Sequence, residues 1–458
     1  MTFQIERARP SQLDALCAIE RAAVQLFRGH AAWPAYAAAT MPVELLRQAI
    51  ERGVVWVALA TTGAPVGFIW LDQELGGGAI GIAELDVLPA HGRRGIGASL
   101  LEHACTWAAE AGYRRVDLGT LADVPWNAPF YARHGFVVAD KHAPEFALAR
   151  QRDREHGFDD DLRVFMSRPL SAPADGWTAW PAPAKLNLFL QITGRRADGY
   201  HELQTVFRLL DWGDEIRLRP RDDGAIRRVQ GAAAVAEDAD LAMRAARLLQ
   251  QHAGCPRGAD IVVEKRIPMG GGLGGGSSDA ATVLVALDHL WQLGLGQDVL
   301  ARLGRELGAD VPVFVHGRST WAEGIGEQFS ALTLPRRHYV VVDPGASVPT
   351  AALFQAPELT RNAPRATISS FVSGEISGNA FQPVVRSRYP AVAAALDWLG
   401  RYGPARLSGS GGCVFLELRS LARAHAVAEA CPASFSAHVA SGMDISPLHA
   451  ALARQRAG

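Results

Sequence analysis

The tract Gly270-Gly271-Gly272-Leu273-Gly274-Gly275-Gly276-Ser277-Ser278 has the clearest chemical potential in this 458-residue chain. Six of the seven residues from Gly270 to Gly276 lack a Cβ. Such a backbone can curl its amides around an anion, at a cost in chain entropy. Ala280 to Leu287 then read as the start of a buried helix. A glycine loop that opens a helix is a phosphate site, because unpaired N–H groups and the helix dipole point at the ligand. Ile261-Val262-Val263 reads as the preceding strand, and Pro268 breaks it. A flexible linker would run on in Gly and Ser and would not end in a tight apolar helix. No Gly-Lys-Ser/Thr follows, so the tract is not a Walker A loop.

Three further segments of the same half carry polar groups in apolar settings. In Pro183 to Leu190, alternation puts Lys185 and Asn187 on one strand face and Leu186 and Leu188 on the other. Alone, that pair also suits an edge strand kept soluble by its polar groups. Asp310 is an isolated carboxylate between Leu307 and Phe314, just ahead of Pro312. It could be a helix N-cap. A carboxylate in an apolar wall is costly, however, unless a cation or a substrate hydroxyl meets it. Ser408-Gly409-Ser410-Gly411-Gly412 precedes a strand and could bring a second backbone approach to a ligand.

The first third of the chain repeats the strand, glycine turn, helix pattern. Glu84-Leu85-Asp86-Val87-Leu88-Pro89 is followed by Arg93-Arg94-Gly95-Ile96-Gly97 and an apolar run. Amides from Arg94 to Gly97 can wrap a pyrophosphate, helped by the charges of Arg93 and Arg94.

The elements that must hold these groups indicate an α/β and α+β protein. Val54–Ala60, Val66–Leu71, Ile80–Leu88 and Val116–Gly119 read as strands. Ile96–Ala111 reads as a helix with Leu100, Leu101, Ala104 and Trp107 at core spacing. The charged stretch from Arg150 to Asp161 reads as a loop. A shift to Pro, Ala, Ser and Trp between Arg168 and Pro183 reads as a linker. The expected domains are 1–170, a linker 171–177, then two lobes at 178–338 and 339–458. The second lobe opens on the strand Tyr339–Val342. A chain of this length exceeds a single core.

A formal net charge of -1 argues against a nucleic-acid binder driven by bulk charge. No run of about 18 apolar residues suggests a membrane span, and the N-terminus has no apolar signal core. The five cysteines are scattered and form no CxxC pair, which suggests neither a disulfide frame nor a zinc site. The expectation is a cytoplasmic protein acting on small molecules, without nucleic acid or membrane partners. Oligomeric state is open, with a homodimer among the options.

The ordered set PAKLNLFL, GRRADGYHELQTVF, PMGGGLGGGSSDAA, LGADVPVF and SGSGG resembles the GHMP kinase superfamily over about 178–455. It is most similar to the branch that phosphorylates diphosphocytidyl-methylerythritol. The resemblance implies a two-lobed kinase fold and transfer of the ATP γ-phosphoryl group to the 2-hydroxyl of that acceptor. It implies that Gly270 to Ser278 hold the phosphates, and that Asp310 accepts the hydroxyl proton beside the catalytic Lys185. Asn187 would place the substrate, Tyr200 and Phe354 would stack its cytosine, and His201 would bond the ring's edge. Lys265 would approach the adenine side. Mg²⁺ is expected with ATP, although no protein ligand for it is assigned. Asp240 stands where the family carries asparagine.

The first region, over about 3–168, resembles GNAT-type N-acetyltransferases through its glycine turn and Asn127-Ala128-Pro129-Phe130-Tyr131. Gly92 replaces the family's usual Gln or Arg. The resemblance implies a mixed sheet with helices that binds acetyl-CoA. Arg93, Arg94, Gly95 and Gly97 would sit at the pyrophosphate, the Leu85 and Val87 backbone along the pantetheine arm, and Asn127 near it. Tyr131 would protonate the leaving thiolate, and Glu84 or Asp86 would accept the amine's proton. The acceptor is unassigned. Two other readings stay open: a GHMP kinase for another small alcohol, and a first domain that only binds CoA or regulates the kinase.

Overall fold

Seven strands come from the first region. They are β1 (Phe3–Arg7), β2 (Val55–Ala60), β3 (Pro65–Asp72), β4 (Ala79–Val87), β5 (Arg115–Leu121), β6 (Val137–Val138) and β7 (Arg163–Pro169). A computed structural model describes residues 3–38, 41–72, 79–171, 175–197 and 199–457. The chain divides into two units, Met1–Thr178 with Arg454–Gly458, and Ala179–Ala453.

In the first unit the sheet order is β1-β2-β3-β4-β5-β7-β6. Every adjacent pair is antiparallel except β4 and β5. That parallel pairing joins only Ala79–Gly81 to Arg115–Asp117. Beyond Gly81 the two strands are no longer paired. The register against β3 also steps between Trp70 and Leu71, which leaves Ala83 as a bulge. The Leu88 amide donates to the Val66 carbonyl at 2.9 Å. Antiparallel alternation then turns the backbone groups of Glu84 and Asp86 toward β3, and those of Leu85 and Val87 toward the opposite, unpaired edge.

The helix Ile96–Glu110 buries Leu100, Leu101, Ala104 and Trp107, as their spacing predicts. The stretch read as a charged loop instead contains the helix Ala147–Glu155. None of its residues is buried, so it has no apolar stripe for periodicity to detect. Ion pairs attach it to the sheet: Arg152 to Asp72 at 2.6 Å, and Asp153 to Arg163 at 2.8 Å. Residues 172–174, inside the expected linker, lie outside the described residues.

The second unit adds β8 (Thr178–Arg195), β9 (His201–Arg221), β10 (Ile226–Gln230), β11 (Gly258–Glu264), β12 (Thr320–Glu323), β13 (Gln328–Ala331), β14 (His338–Asp343), β15 (Gly378–Asn379), β16 (Arg406–Leu407), β17 (Val414–Leu418) and β18 (Ser436–Met443). The main path runs β10-β11-β9-β18-β14-β17-β16. The 21-residue β9 is its spine and also pairs with β8 and β12. The helices Leu241–Ala253, Gly275–Leu290, Gln297–Leu307 and Val311–His316 share one core with β9 and β11. The helices Gln382–Arg388, Pro390–Gly400 and Leu421–Glu429 share another with β14, β17 and β18. Strand β18 pairs with β9 through Gly442 and Met443. Residues of both expected lobes therefore lie in one sheet. Among the described residues, no helix is long and apolar enough to cross a membrane.

Candidate active sites

Lys185 and Asn187 lie on β8 where it pairs with β9, and both are buried. This excludes the reading of an exposed, solubilising edge. A buried ammonium must have its donors met. Here Lys185 Nζ donates to Asn187 Oδ1 at 2.6 Å and to the Gly272 carbonyl at 2.9 Å, and Asp310 Oδ2 lies 3.4 Å away. Asn187 Nδ2 donates to Thr205 Oγ1 at 2.8 Å, and Thr205 donates to the Phe189 carbonyl at 2.6 Å. This chain of bonds turns the amide oxygen of Asn187 toward the lysine.

Asp310 stands at the N-cap position of the helix Val311–His316, but its side chain makes no cap bond. The carboxylate is partly exposed and directed at Lys185. The glycine tract reaches the same point. Gly272 has φ +73°, and a Cβ there would fall 2.0 Å from the Ser408 carbonyl oxygen. Ser408 Oγ donates to the Gly272 carbonyl at 3.0 Å, and the Cys413 amide donates to that of Gly271 at 3.1 Å. The Ser408–Gly412 turn thus fixes the carbonyl that Lys185 uses. Asn379 holds the turn from behind, donating to the carbonyls of Leu407 and Gly409. Gly274 caps the helix Gly275–Leu290 at φ +76° without a side-chain cap. The amides of its first turn have no partner within the helix and face a loop built for close approach.

His201 stacks on Phe354, with ring centroids 4.9 Å apart at 23°. Phe354 meets Phe381 edge-on. His201 Nε2 is buried without a hydrogen-bond partner. Burial, then Arg361 and Arg195, hold its imidazole below the usual pKa, in the neutral form.

The first unit holds a separate cleft of about 670 Å³ along the unpaired edge of β4. Leu85, Val87, Arg93, Gly95, Gly97, Asn127 and Tyr131 all line it. Arg93 adopts φ +58° and Gly95 φ +79°, which bends the loop into the start of the helix Ile96–Glu110. Glu84 and Asp86 face the cleft together. Burial, then Asp86, raises Glu84 well above the carboxylate range. Burial, then Glu20, raises Asp86 to about 7. Burial, then Asp86 and Glu84, push the Tyr131 phenol up, so it stays protonated.

Comparison with known proteins connects this geometry to families. The model of GHMP kinases N terminal domain matches residues 240–318, and that of GHMP kinases C terminal matches 367–437. The acetyltransferase (GNAT) family model matches residues 21–136. The 4-diphosphocytidyl-2-C-methyl-D-erythritol kinase of Xanthomonas euvesicatoria pv. vesicatoria (strain 85-10) is 60% identical over 284 residues, which are 62% of this chain and 96% of that protein. The chain belongs to the 4-diphosphocytidyl-2-C-methyl-D-erythritol kinases, with a GNAT domain ahead of the kinase. The relative from Halorhodospira halophila (strain DSM 244 / SL1) is 56% identical over 97% of its length and 60% of this chain. A crystal structure of a 4-(cytidine 5'-diphospho)-2C-methyl-D-erythritol kinase is 36% identical, with a TM-score of 0.51. It covers 58% of this chain and 99% of its own.

Set against this family, the expected site residues divide. Lys185, Asn187, Asp310 and the Gly270–Ser278 loop converge. Tyr200 is 62% exposed, and the partner that Phe354 stacks on is His201. Lys265 is already held by Asp214 and Asp279, the latter at 2.8 Å. Burial and mutual repulsion raise the Asp279 carboxyl, and Lys265 opposes the rise. The lysine therefore ties the N-terminal part of the helix Gly275–Leu290 to Asp214 on β9. Asp240 caps the helix Leu241–Ala253 through the Ala242 amide and pairs with Arg228, which explains an acid at that position. Sequence reading missed Thr205, Ser408 and Asn379 as supports. The first two lie inside motifs already singled out; Asn379 lies in none.

Proposed function

We propose that this chain transfers the γ-phosphoryl group of ATP to the 2-hydroxyl of 4-diphosphocytidyl-2-C-methyl-D-erythritol. The observation that carries this reading is the approach of Lys185 and Asp310 beside the glycine loop. The 2-hydroxyl gives its proton to Asp310, its oxygen bonds the γ-phosphorus, and the bond from that phosphorus to the ADP oxygen breaks. Amides of the Gly270–Ser278 loop bear the phosphate charge, and Lys185 lowers the cost of a developing alkoxide while keeping Asp310 ionised. Mg²⁺ would add charge neutralisation at the phosphates. Mg²⁺ bound with ATP would take most of its ligands from phosphate oxygens and water. Phe354 and His201 supply a flat surface and a ring nitrogen suited to a cytosine. A small acidic alcohol would have no use for that surface. The purified chain should release ADP when mixed with ATP, Mg²⁺ and the cytidylated substrate. No ADP, with active control enzyme alongside, defeats the reading.

The unpaired Leu85 and Val87 edge supports a second reading, acetyl transfer from acetyl-CoA to an amine. The pantetheine arm would add to β4 as a further strand. The ammonium gives one proton to a carboxylate, its nitrogen bonds the acetyl carbon, and the C–S bond breaks. The thiolate takes the Tyr131 proton, and the nitrogen's second proton, passed through water, restores the phenol. Release of CoA thiol in the presence of amines tests this. CoA binding without thiol release across a broad amine set would mark a binding module instead.

A further inference from the structure

A second cavity of about 520 Å³ in the first unit shares Glu84, Ala83 and Gly119 with the first, so the two meet at the bulge of β4. The first cavity has the unpaired backbone edge and the glycine turn. The second has neither. Its walls include the rings of Tyr36, which also lines the first, and of Trp70, Phe146, Phe158 and Phe165.

The charge of the second cavity is lopsided. Six carboxylates line it against three guanidiniums. Two of the guanidiniums, Arg152 and Arg163, are committed to Asp72 and Asp153, and the third is Arg52. Asp117 is held by Arg115 and Ser167. Among the described residues Glu20 and Glu84 form no ion pair of this kind, although the charges of Arg21 and Arg163 act on them. Glu155, on the Ala147–Glu155 helix, is exposed and bonded to Gln151. His156 stands beside it, bonded to the Arg152 carbonyl. Away from the exposed helix end, the carboxyls without an ion pair are thus Glu20 and Glu84, and Glu84 sits where the two cavities join.

We infer that this second cavity is the acceptor site, and that it takes a cationic amine on an apolar or aromatic body rather than an acidic or neutral acceptor. This rests on the acetyl-transfer reading for what the amine does, but not for whether it binds. The ammonium would sit between Glu20 and Glu84, at the opening toward the thioester, and the body would lie among the rings. Burial, then Asp86 and Glu20, disfavour the ionised form of Glu84, and a cation beside it would offset that and hold the carboxylate ionised. An acidic acceptor would add one more like charge to this cluster.

The test uses the full chain. Tryptophan fluorescence, with Trp70 in the cavity wall, reports titrations with phenethylamine, 3-phenylpropionate and 2-phenylethanol. The expected result is at least tenfold tighter binding of the amine, reduced to the level of the alcohol in Glu84→Gln, with Glu20→Gln intermediate. Equal or tighter binding of the carboxylate overturns the inference, as does a preference that survives the double variant. CoA thiol release is measured separately with phenethylamine and with glutamate. Thiol release with glutamate alone keeps acetyl transfer and overturns the acceptor class. Amine-selective binding with no acetyl-CoA binding does the reverse.

Discussion

Lys185 and Asp310 come from a strand and a helix start far apart in the chain, yet their charged atoms lie 3.4 Å apart. The lysine is also tied to the Gly272 carbonyl, so the ion pair and the glycine loop form one unit. Neither residue can shift without moving the other or the loop.

Removing either charge should abolish most turnover. Lys185→Met and Asp310→Asn are each expected to lower kcat roughly a hundred- to ten-thousand-fold, the range for a placed proton acceptor or charge stabiliser. ADP release measures this, and a thermal melt confirms folding. A kcat within threefold of the parent would remove both from the mechanism.

Gly272→Ala places a methyl 2.0 Å from a backbone oxygen at positive φ. The backbone cannot swing aside as a side chain does. A loss of about 2–4 kcal/mol in stability is expected from strain and overpacking together, with weaker ATP binding. Denaturant unfolding and nucleotide titration check the two effects.

Thr205→Val keeps the shape of a buried residue but strands the Asn187 amide N–H. The expected cost is about 1–3 kcal/mol for the unpaired donor. Because Asn187 is then free to rotate away from Lys185, kcat should fall more than the KM for ATP rises. An unchanged kcat would make Thr205 a packing residue only.

The Asp86 carboxyl, raised to about 7 in the folded protein, predicts a pH effect. An unfolded aspartate titrates near about 3.9. Between those values the folded state holds the extra proton, so stability falls as pH rises through the window and is fully present only below it. Glu84 is raised too and acts with the same sign. Asp86→Asn should therefore stabilise the first unit at pH 8 relative to the parent, with little gain at pH 4. Melting followed across pH 4–8 decides it, and a parallel shift of both proteins would contradict the assignment.

Some of this was legible in the chain itself. Leu100, Leu101, Ala104 and Trp107 announced their helix because apolar spacing is a local property. The glycine tract announced a loop of positive φ at Gly270, Gly272 and Gly274, because only glycine reaches those backbone angles without strain. The Ala147–Glu155 helix was illegible, because ion pairs rather than an apolar stripe hold it. The contacts of Lys265 with Asp214 and Asp279 were illegible, because the two carboxylates lie in other segments.

Residue types and their order thus determined the kind of chemistry available: amides for an anion, a lysine and an aspartate for a hydroxyl. Tertiary structure decided which groups are spent on each other and which remain for a ligand. Charge pairing and hydrogen bonding depend on distances of a few ångströms, and only the folded chain sets those distances between remote residues.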